Sequence, residues 1–298
     1  MIQVFDRARK KIFIEKVYGA FWVDVFYSKL SLPIFHWRPV QIFLSHIVGL
    51  WNSTPFSVFQ IKKFVQEYNV DLRRFTYPKG GFKSFNQFFI RKYKEEFCEF
   101  PVEYKLLGSP CEARVSAYYI ENLKSRLVVK GEALSLQELL LTDRIEEHFE
   151  GGTAVVFRLC PADYHRFHFP DYATIKKISK IKGNLFSVNP KALEMFPKIF
   201  LKNERCVTEM QTQTFGKIYY IEVGALCVGK IVQTFGRRNK VNRGEEKGYF
   251  EFGASTIILL LQAQIKVSSD LLENTKKGVE SLVRLGEVIA KSPGGELA

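Results

Sequence analysis

Downstream of Leu106 the chain is a succession of short branched and aromatic runs broken by Gly, Pro, Asn and Asp, and this pattern leaves few architectures open. Branched and aromatic side chains pack well on a pleated surface, and the breakers supply the turns between strands. The pattern predicts strands over Val115–Ile120, Ser125–Val129, Thr153–Leu159, Ala173–Ile181, Cys206–Thr214, Lys217–Val223, Gly229–Thr234 and Thr256–Gln262. Short helices are expected over Ser84–Arg91, Leu134–Leu141 and Glu194–Phe200, and a longer amphipathic one over Ser268–Lys291. In the first of these, Phe85, Phe88 and Phe89 share one face.

Residues 11 to 75 read differently. Phe13, Val17, Phe21, Val25 and Leu30 recur at roughly helical spacing, and Ile42, Ile47, Leu50 and Trp51 resume the pattern beyond Pro33 and Pro39. A further helix fits Pro55–Tyr68, with Ser53 or Thr54 as its cap and Pro55 in its first turn. Helices that are apolar and aromatic with basic flanks suit a membrane interface, and they equally suit a cap on a β core. The expectation is an α+β protein. N-terminal amphipathic helices occupy a membrane-associating region, residues 1–76, and a β-rich core of barrel-like or sandwich-like form occupies residues 77–298.

Charge narrows the partners. The formal net charge is +13, and the Lys/Arg pairs are spread along the chain rather than gathered in one patch. No zinc-finger spacing or aromatic RNA-binding signature accompanies them, so an anionic membrane surface fits better than nucleic acid. The uncharged stretch Pro39–Ile61 could span a bilayer in length, but it carries Ser45, His46, Asn52, Ser53, Thr54, Pro55 and Gln60. Such a segment is expected to lie on the membrane, not to cross it. The five cysteines are widely spaced and odd in number, which supports neither a disulfide framework nor a zinc site and points to a reducing compartment.

Two segments carry chemistry. Lys247-Gly-Tyr-Phe-Glu-Phe-Gly-Ala-Ser-Thr256 places a small-residue turn directly before the apolar run Ile257–Leu261. A serine held in such a turn can attack the carbonyl before it and cut its own chain. Phe157-Arg-Leu-Cys-Pro-Ala-Asp-Tyr-His-Arg-Phe-His-Phe-Pro170 supplies Asp163, His165 and His168 close together, a carboxylate and two imidazoles able to activate that serine. The His-x-x-His pair could also hold a metal, but no third ligand stands near, and no metal is expected.

These segments together resemble the phosphatidylserine decarboxylase family, whose members are pyruvoyl-dependent membrane enzymes. Ser84-Phe-Asn-Gln-Phe-Phe-Ile-Arg91, Lys130-Gly131 with Ser135-Leu136, Gly183-Asn-Leu-Phe-Ser-Val-Asn-Pro190, Asn203-Glu-Arg205 and Val223-Gly-Ala-Leu-Cys-Val-Gly229 follow in family order. The resemblance implies cleavage between Ala254 and Ser255, leaving pieces 1–254 and 255–298 associated, with Ser255 converted to the pyruvoyl cofactor. It implies that His168 belongs to the self-cleaving triad, that His165 serves decarboxylation as proton donor, and that Asp163 supports them. Phosphatidylserine would be the substrate and phosphatidylethanolamine the product, at the cytoplasmic face of the cell membrane, and a homo-oligomer is compatible with this.

Two positions depart from the family pattern. Glu112, in Ser109-Pro-Cys-Glu-Ala113, stands where the triad aspartate is expected, and Ala254 stands where most members have glycine. Neither change removes a reacting atom. A lipid-binding relative that does not mature is the alternative these departures leave open.

Overall fold

The computed structural model describes residues 2–15, 37–120, 127–129, 132–142, 149–186, 198–225, 230–236, 238–252 and 255–295. In chain order its elements are β1 (Ile2–Asp6), β2 (Lys11–Glu15), α1 (Arg38–Ser53), α2 (Phe59–Tyr68), α3 (Phe85–Phe89), β3 (Leu106–Gly108), β4 (Ala113–Tyr119), β5 (Leu127–Val129), β6 (Glu132–Leu134), α4 (Leu136–Leu140), β7 (Thr153–Leu159), β8 (Arg166–His168) and β9 (Ala173–Ile181). They continue with α5 (Ile199–Lys202), β10 (Arg205–Thr212), β11 (Lys217–Val223), β12 (Ile231–Gln233), β13 (Lys240–Val241), β14 (Glu246–Phe250), β15 (Ser255–Leu261), β16 (Lys266–Val267), α6 (Ser269–Lys276), β17 (Glu280–Val283) and β18 (Val288–Lys291).

Ten strands make one sheet in the order β13-β9-β10-β11-β15-β7-β4-β17-β1-β2. The outer strands β13 and β2 do not pair with each other, so the sheet stays open and the expected barrel closure does not form. Strand β15 lies deep inside it, hydrogen-bonded to β7 on one side and β11 on the other, with every residue from Ser255 to Leu261 buried. Its unbroken apolar run follows from that placement, since both faces of the strand are covered.

The N-terminal region departs from the helical expectation at its start. Residues 11–15, read above as helical, form β2, which folds back antiparallel on β1. Strand β1 in turn pairs in parallel with β17 near the other end of the chain. Lys-Ile-Phe-Ile-Glu is too short to hold a helix alone, and its two isoleucines suit a strand, so a free sheet edge decides its state. Val17, Phe21, Val25 and Leu30 lie outside the described residues. So do His36, residues 121–126, Lys130-Gly131, His148, residues 187–197 and 226–229, and Gly253-Ala254.

Beyond them, α1 and α2 appear where the periodicity predicts, with a 3-10 turn over Pro55–Val58 between them. α1 is inverted relative to an ordinary surface helix. It buries Gln41, Ser45 and Asn52 and exposes Trp37, Ile42, Phe43, Ile47, Leu50 and Trp51. α3 starts as its sequence demands, with the Ser84 hydroxyl accepting from the Gln87 N–H at 3.1 Å. Its three phenylalanines join Phe64, Phe82 and Phe252 in an apolar cluster that ties the helices to the segment just before β15.

The C-terminal tail corrects a second expectation, because a single helix over Ser268–Lys291 does not form. α6 ends at Lys276, and Gly278 follows at φ +73°, a left-handed turn that glycine enters without cost. The chain then supplies β17 to the main sheet and β18 to a small one. Gly286, at φ +74°, completes the turn between them where the Glu99 carbonyl approaches too closely to admit a side chain.

A buried charge group locks these parts together. Arg158 on β7 pairs with Glu15 at 2.8 Å and with Glu280 at 2.5 Å, joining the N-terminal hairpin to β17. Removing the guanidinium would strand two carboxylates in the interior. Arg158→Leu should therefore lower stability by about 3–5 kcal/mol, read as the shift in the urea unfolding midpoint against the parent chain.

Candidate active site

The Asp163-Tyr-His-Arg-Phe-His168 segment occupies the turn after β7 and the short strand β8. The turn closes on itself: the Asp163 N–H donates to the Cys160 carbonyl at 2.8 Å, and the Asp163 carboxylate accepts from the Cys160 N–H at 2.6 Å. Two arginines clamp it from outside. Arg91, fully buried, donates to the Ala162 and Asp163 carbonyls at 2.6 and 3.0 Å and sits over the Phe75 and Phe88 rings, 4.4 and 4.7 Å from their centroids. Arg114 on β4 pairs with the Asp163 carboxylate and with Glu15.

Strand β8 lies antiparallel to β14, with Glu246 opposite His168 and the Phe250 N–H donating to the His165 carbonyl at 3.0 Å. That pairing brings the two motifs together, because β14 runs on toward Ser255. Ser255 itself opens β15 opposite Leu159, the last residue of β7, and the Asp163 turn follows directly from there. The Ser255 hydroxyl is buried and has no hydrogen-bond partner among the described residues, a state it shares with the hydroxyls of Thr208, Tyr220 and Thr256. The carbonyl it would attack belongs to Ala254, outside the described residues.

Both histidines have defined tautomers. His165 Nδ1 lies 3.1 Å from the Asp163 carbonyl, which can only accept, so Nδ1 carries the proton. Its Nε2 is a buried lone pair with no partner among the described residues. The ring packs on Phe89 at 3.8 Å, and Phe89 packs on Phe252, three residues before Ser255. His168 Nδ1 lies 2.8 Å from the Gly244 carbonyl and is protonated for the same reason. His168 Nε2 then accepts from the Tyr164 hydroxyl at 3.2 Å.

Burial disfavours the charged imidazole in both cases. It lowers His165 to about 3, with Arg91 adding to the effect, and lowers His168 below its ordinary value. Both rings are therefore neutral, with Nε2 the unprotonated nitrogen of each. Burial pushes Asp163 up to about 6; Arg114 opposes this and Glu112 adds to it.

Glu112 accepts from the Tyr93 hydroxyl and from Arg74 at 3.2 Å. Both ring nitrogens of His168 have other partners, so Glu112 is not hydrogen-bonded to the imidazole. The two are linked through aromatic rings instead. Tyr93 stacks on Tyr164 at 4.1 Å, and Tyr164 holds His168. Asp163, His165, His168 and Ser255 are thus gathered by β7, β8, β14 and β15, while Glu112 reaches them through two tyrosines. Arg74, Arg91, Tyr93 and Arg114 escaped the sequence reading. Each comes from a distant segment, and of the four only Arg91 lies in a quoted motif, Ser84–Arg91, which by itself gives it no place in the site. Tyr164 lay inside the motif, but its role depends on how the turn is folded.

Residues 85–291 match the family model described as phosphatidylserine decarboxylase. Over 292 residues the chain is 38% identical to a phosphatidylserine decarboxylase proenzyme from Clostridium tetani, covering 98% of each. It is 40% identical over 291 residues to the proenzyme of Clostridium novyi, covering 97% of this chain and 99% of that one. A Clostridium botulinum proenzyme is 38% identical over 291 residues, with the same coverage. The chain belongs to the phosphatidylserine decarboxylase family. Family membership covers the helices and the core together, because these relatives align over nearly the whole chain.

The depressed His165 has a consequence for stability. An unfolded histidine takes up its proton near pH 6.5, while the folded one resists until about 3, so the unfolded state binds more protons in between and stability falls as pH drops through that window. Asp163 acts in the opposite sense below about 6, because its raised value makes the folded state hold the proton more tightly. Replacing His165 isolates the first effect. His165→Gln, placed in a Ser255→Ala background to keep one chain, should be less acid-sensitive by up to about 1.4 kcal/mol per pH unit, measured by urea unfolding at pH 7 and pH 5.

Proposed function

We propose that this chain is a self-processing, pyruvoyl-dependent phosphatidylserine decarboxylase in which Ser255 is both the nucleophile of cleavage and the source of the cofactor. The observation that carries this reading is the position of Ser255, buried at the first residue of an internal strand and opposite Leu159, from which the turn holding two neutral histidines directly follows.

In maturation, His168 takes the Ser255 hydroxyl proton at Nε2 after Tyr164 lets go of that nitrogen. The oxygen attacks the Ala254 carbonyl carbon, the Ala254–Ser255 C–N bond breaks, and an ester to the serine oxygen remains with a free amine. Loss of the Ser255 Cα proton and cleavage of its Cβ–O bond then release Ala254 as a carboxylate. The residual enamine becomes an imine, and water replaces its nitrogen as ammonia to leave the ketone. Asp163, with Glu112 behind the Tyr93–Tyr164 pair, supplies the negative charge that balances a protonated His168.

The pyruvoyl carbonyl, once present, supplies the electron sink that no side chain offers. The residue at 255 suits it, being buried at a new N-terminus with apolar neighbours. His165 accepts a proton at Nε2 from the substrate ammonium and returns it to the carbon that loses carboxylate. The piece 255–298 stays bound through β15, through β17 between β4 and β1, and through the Arg158–Glu280 pair.

Freshly purified protein should run as two chains on a denaturing gel, with the mass of the short one fixing both the 254/255 junction and the pyruvoyl group. Ser255→Ala should remain one chain without decarboxylase activity, His168→Ala should not cleave, and His165→Ala should cleave but not turn over. Cleavage persisting in Ser255→Ala rejects the mechanism. A protein that stays uncut when unmodified is the lipid-binding alternative.

The inverted face of α1 supports peripheral attachment. No helix among the described residues is long and apolar enough to cross a membrane. Trp37, Phe43, Leu50, Trp51, Phe56 and Phe59 nonetheless stand exposed on the helices and on the turn between them. Deleting residues 11–61 would remove β2 and with it a sheet edge, so point changes are the cleaner test. Phe43→Ser with Trp51→Ser should cut sedimentation with anionic vesicles by at least about tenfold, without lowering the melting temperature.

A further inference from the structure

On one face of the sheet a cavity of about 870 Å³ lies between the N-terminal hairpin, the chain around Asp71–Phe75 and the turn after β17. Its floor holds two ion pairs, Arg74 with Glu112 and Arg114 with Asp163. Ser255, His165 and His168 do not line it. At the rim, Arg73 is bonded to Asp71 and Arg9 lies 3.7 Å from Asp6, so those charges are partly neutralised.

Lys11 and Arg284 differ. Both line the same cavity, one from β2 and one from the β17–β18 turn, and no carboxylate among the described residues lies within ion-pair reach of either. Unneutralised cations lining a cavity favour an anion within it. A guanidinium and an ammonium together suit a phosphate oxygen cluster. Beside them, Ile12 is 57% exposed and Phe13 36% exposed at the cavity rim, apolar surface that a free inorganic ion would leave in water.

We propose that this cavity binds the phosphate group of an anionic phospholipid, held by Lys11 and Arg284 with its glycerol backbone against Ile12 and Phe13. The occupant needs no amine, so binding here does not require turnover. It stands independently of the decarboxylase reading. Because the floor carries the Glu112 and Asp163 ion pairs, an occupant places its charge behind the carboxylates of the candidate active site.

The test uses the full-length protein and a short-chain lipid below its micelle concentration, so that the exposed helices have no bilayer to join. Dihexanoyl phosphatidylglycerol has no amine and cannot be decarboxylated. Isothermal titration should show it binding more tightly than dihexanoyl phosphatidylcholine or inorganic phosphate. Lys11→Gln with Arg284→Gln should weaken that binding by about tenfold or more. Lys176→Gln with Lys177→Gln removes the same charge from exposed positions on β9, toward the far end of the sheet, and should leave it unchanged. Equal losses in the two double variants would reduce the effect to net charge and overturn the site. Undiminished binding in the first double variant overturns it as well, by locating the lipid elsewhere. Inorganic phosphate binding as tightly as the phosphatidylglycerol overturns the lipid assignment.

Discussion

Arg114 and Arg158 stand directly opposite each other on β4 and β7, an arrangement that by itself pushes the two strands apart. Three carboxylates from three parts of the chain make it tolerable: Glu15 from the hairpin, Glu280 from β17 and Asp163 from the turn after β7. Burial raises the cost of every charge in the group. For Glu15 it acts to raise the pKa, yet the two arginines win and hold the carboxyl below its ordinary value. For Asp163 burial wins, and the carboxyl sits near 6. The same five side chains thus close the sheet around the hairpin, bind the C-terminal strands and set the acidity of a candidate catalytic group.

The Phe cluster under the helices plays the corresponding part on the other flank. Phe64, Phe85, Phe88 and Phe89 pack on Phe252, and the Asn86 side chain accepts from the Phe252 N–H at 3.2 Å. The segment entering β15 is therefore held by apolar packing and one hydrogen bond, while the inner face of α1 is polar. Gln41, Ser45 and Asn52 turn inward, where they find partners, and the apolar side is left outside. A helix arranged this way leaves an apolar outer face exposed among the described residues. The helices thereby join that exposed apolar surface to the chain around residue 255.

Within the candidate site each histidine gives its Nδ1 proton to a carbonyl, which leaves Nε2 as the unprotonated nitrogen. Tyr164 occupies that nitrogen on His168, and on His165 it has no partner among the described residues. Glu112, a methylene longer than the aspartate expected at its position, ends on Tyr93 and Arg74. Its influence on His168 passes through a stack of two tyrosines.

Much of the core was legible because strand propensity and burial agree there. Thr153–Leu159, Ala173–Ile181 and Lys217–Val223 have the predicted bounds, and the apolar run after Ser255 is the strand it looked like. The chemistry of the Asp163–His168 segment was legible for a related reason: its acid and imidazoles lie within one turn of chain. The hairpin at residues 2–15 and the strands after Gly278 were not legible, because short segments take their state from whichever sheet edge is open to them. The sequence by itself determined the strand-rich core and the family, and it marked the candidate site residues. Tertiary structure alone decided that the sheet stays open, which nitrogen of each histidine is free, and that Glu112 meets a tyrosine before an imidazole. Those outcomes depend on contacts between residues tens to hundreds of positions apart, and local pattern carries no record of them.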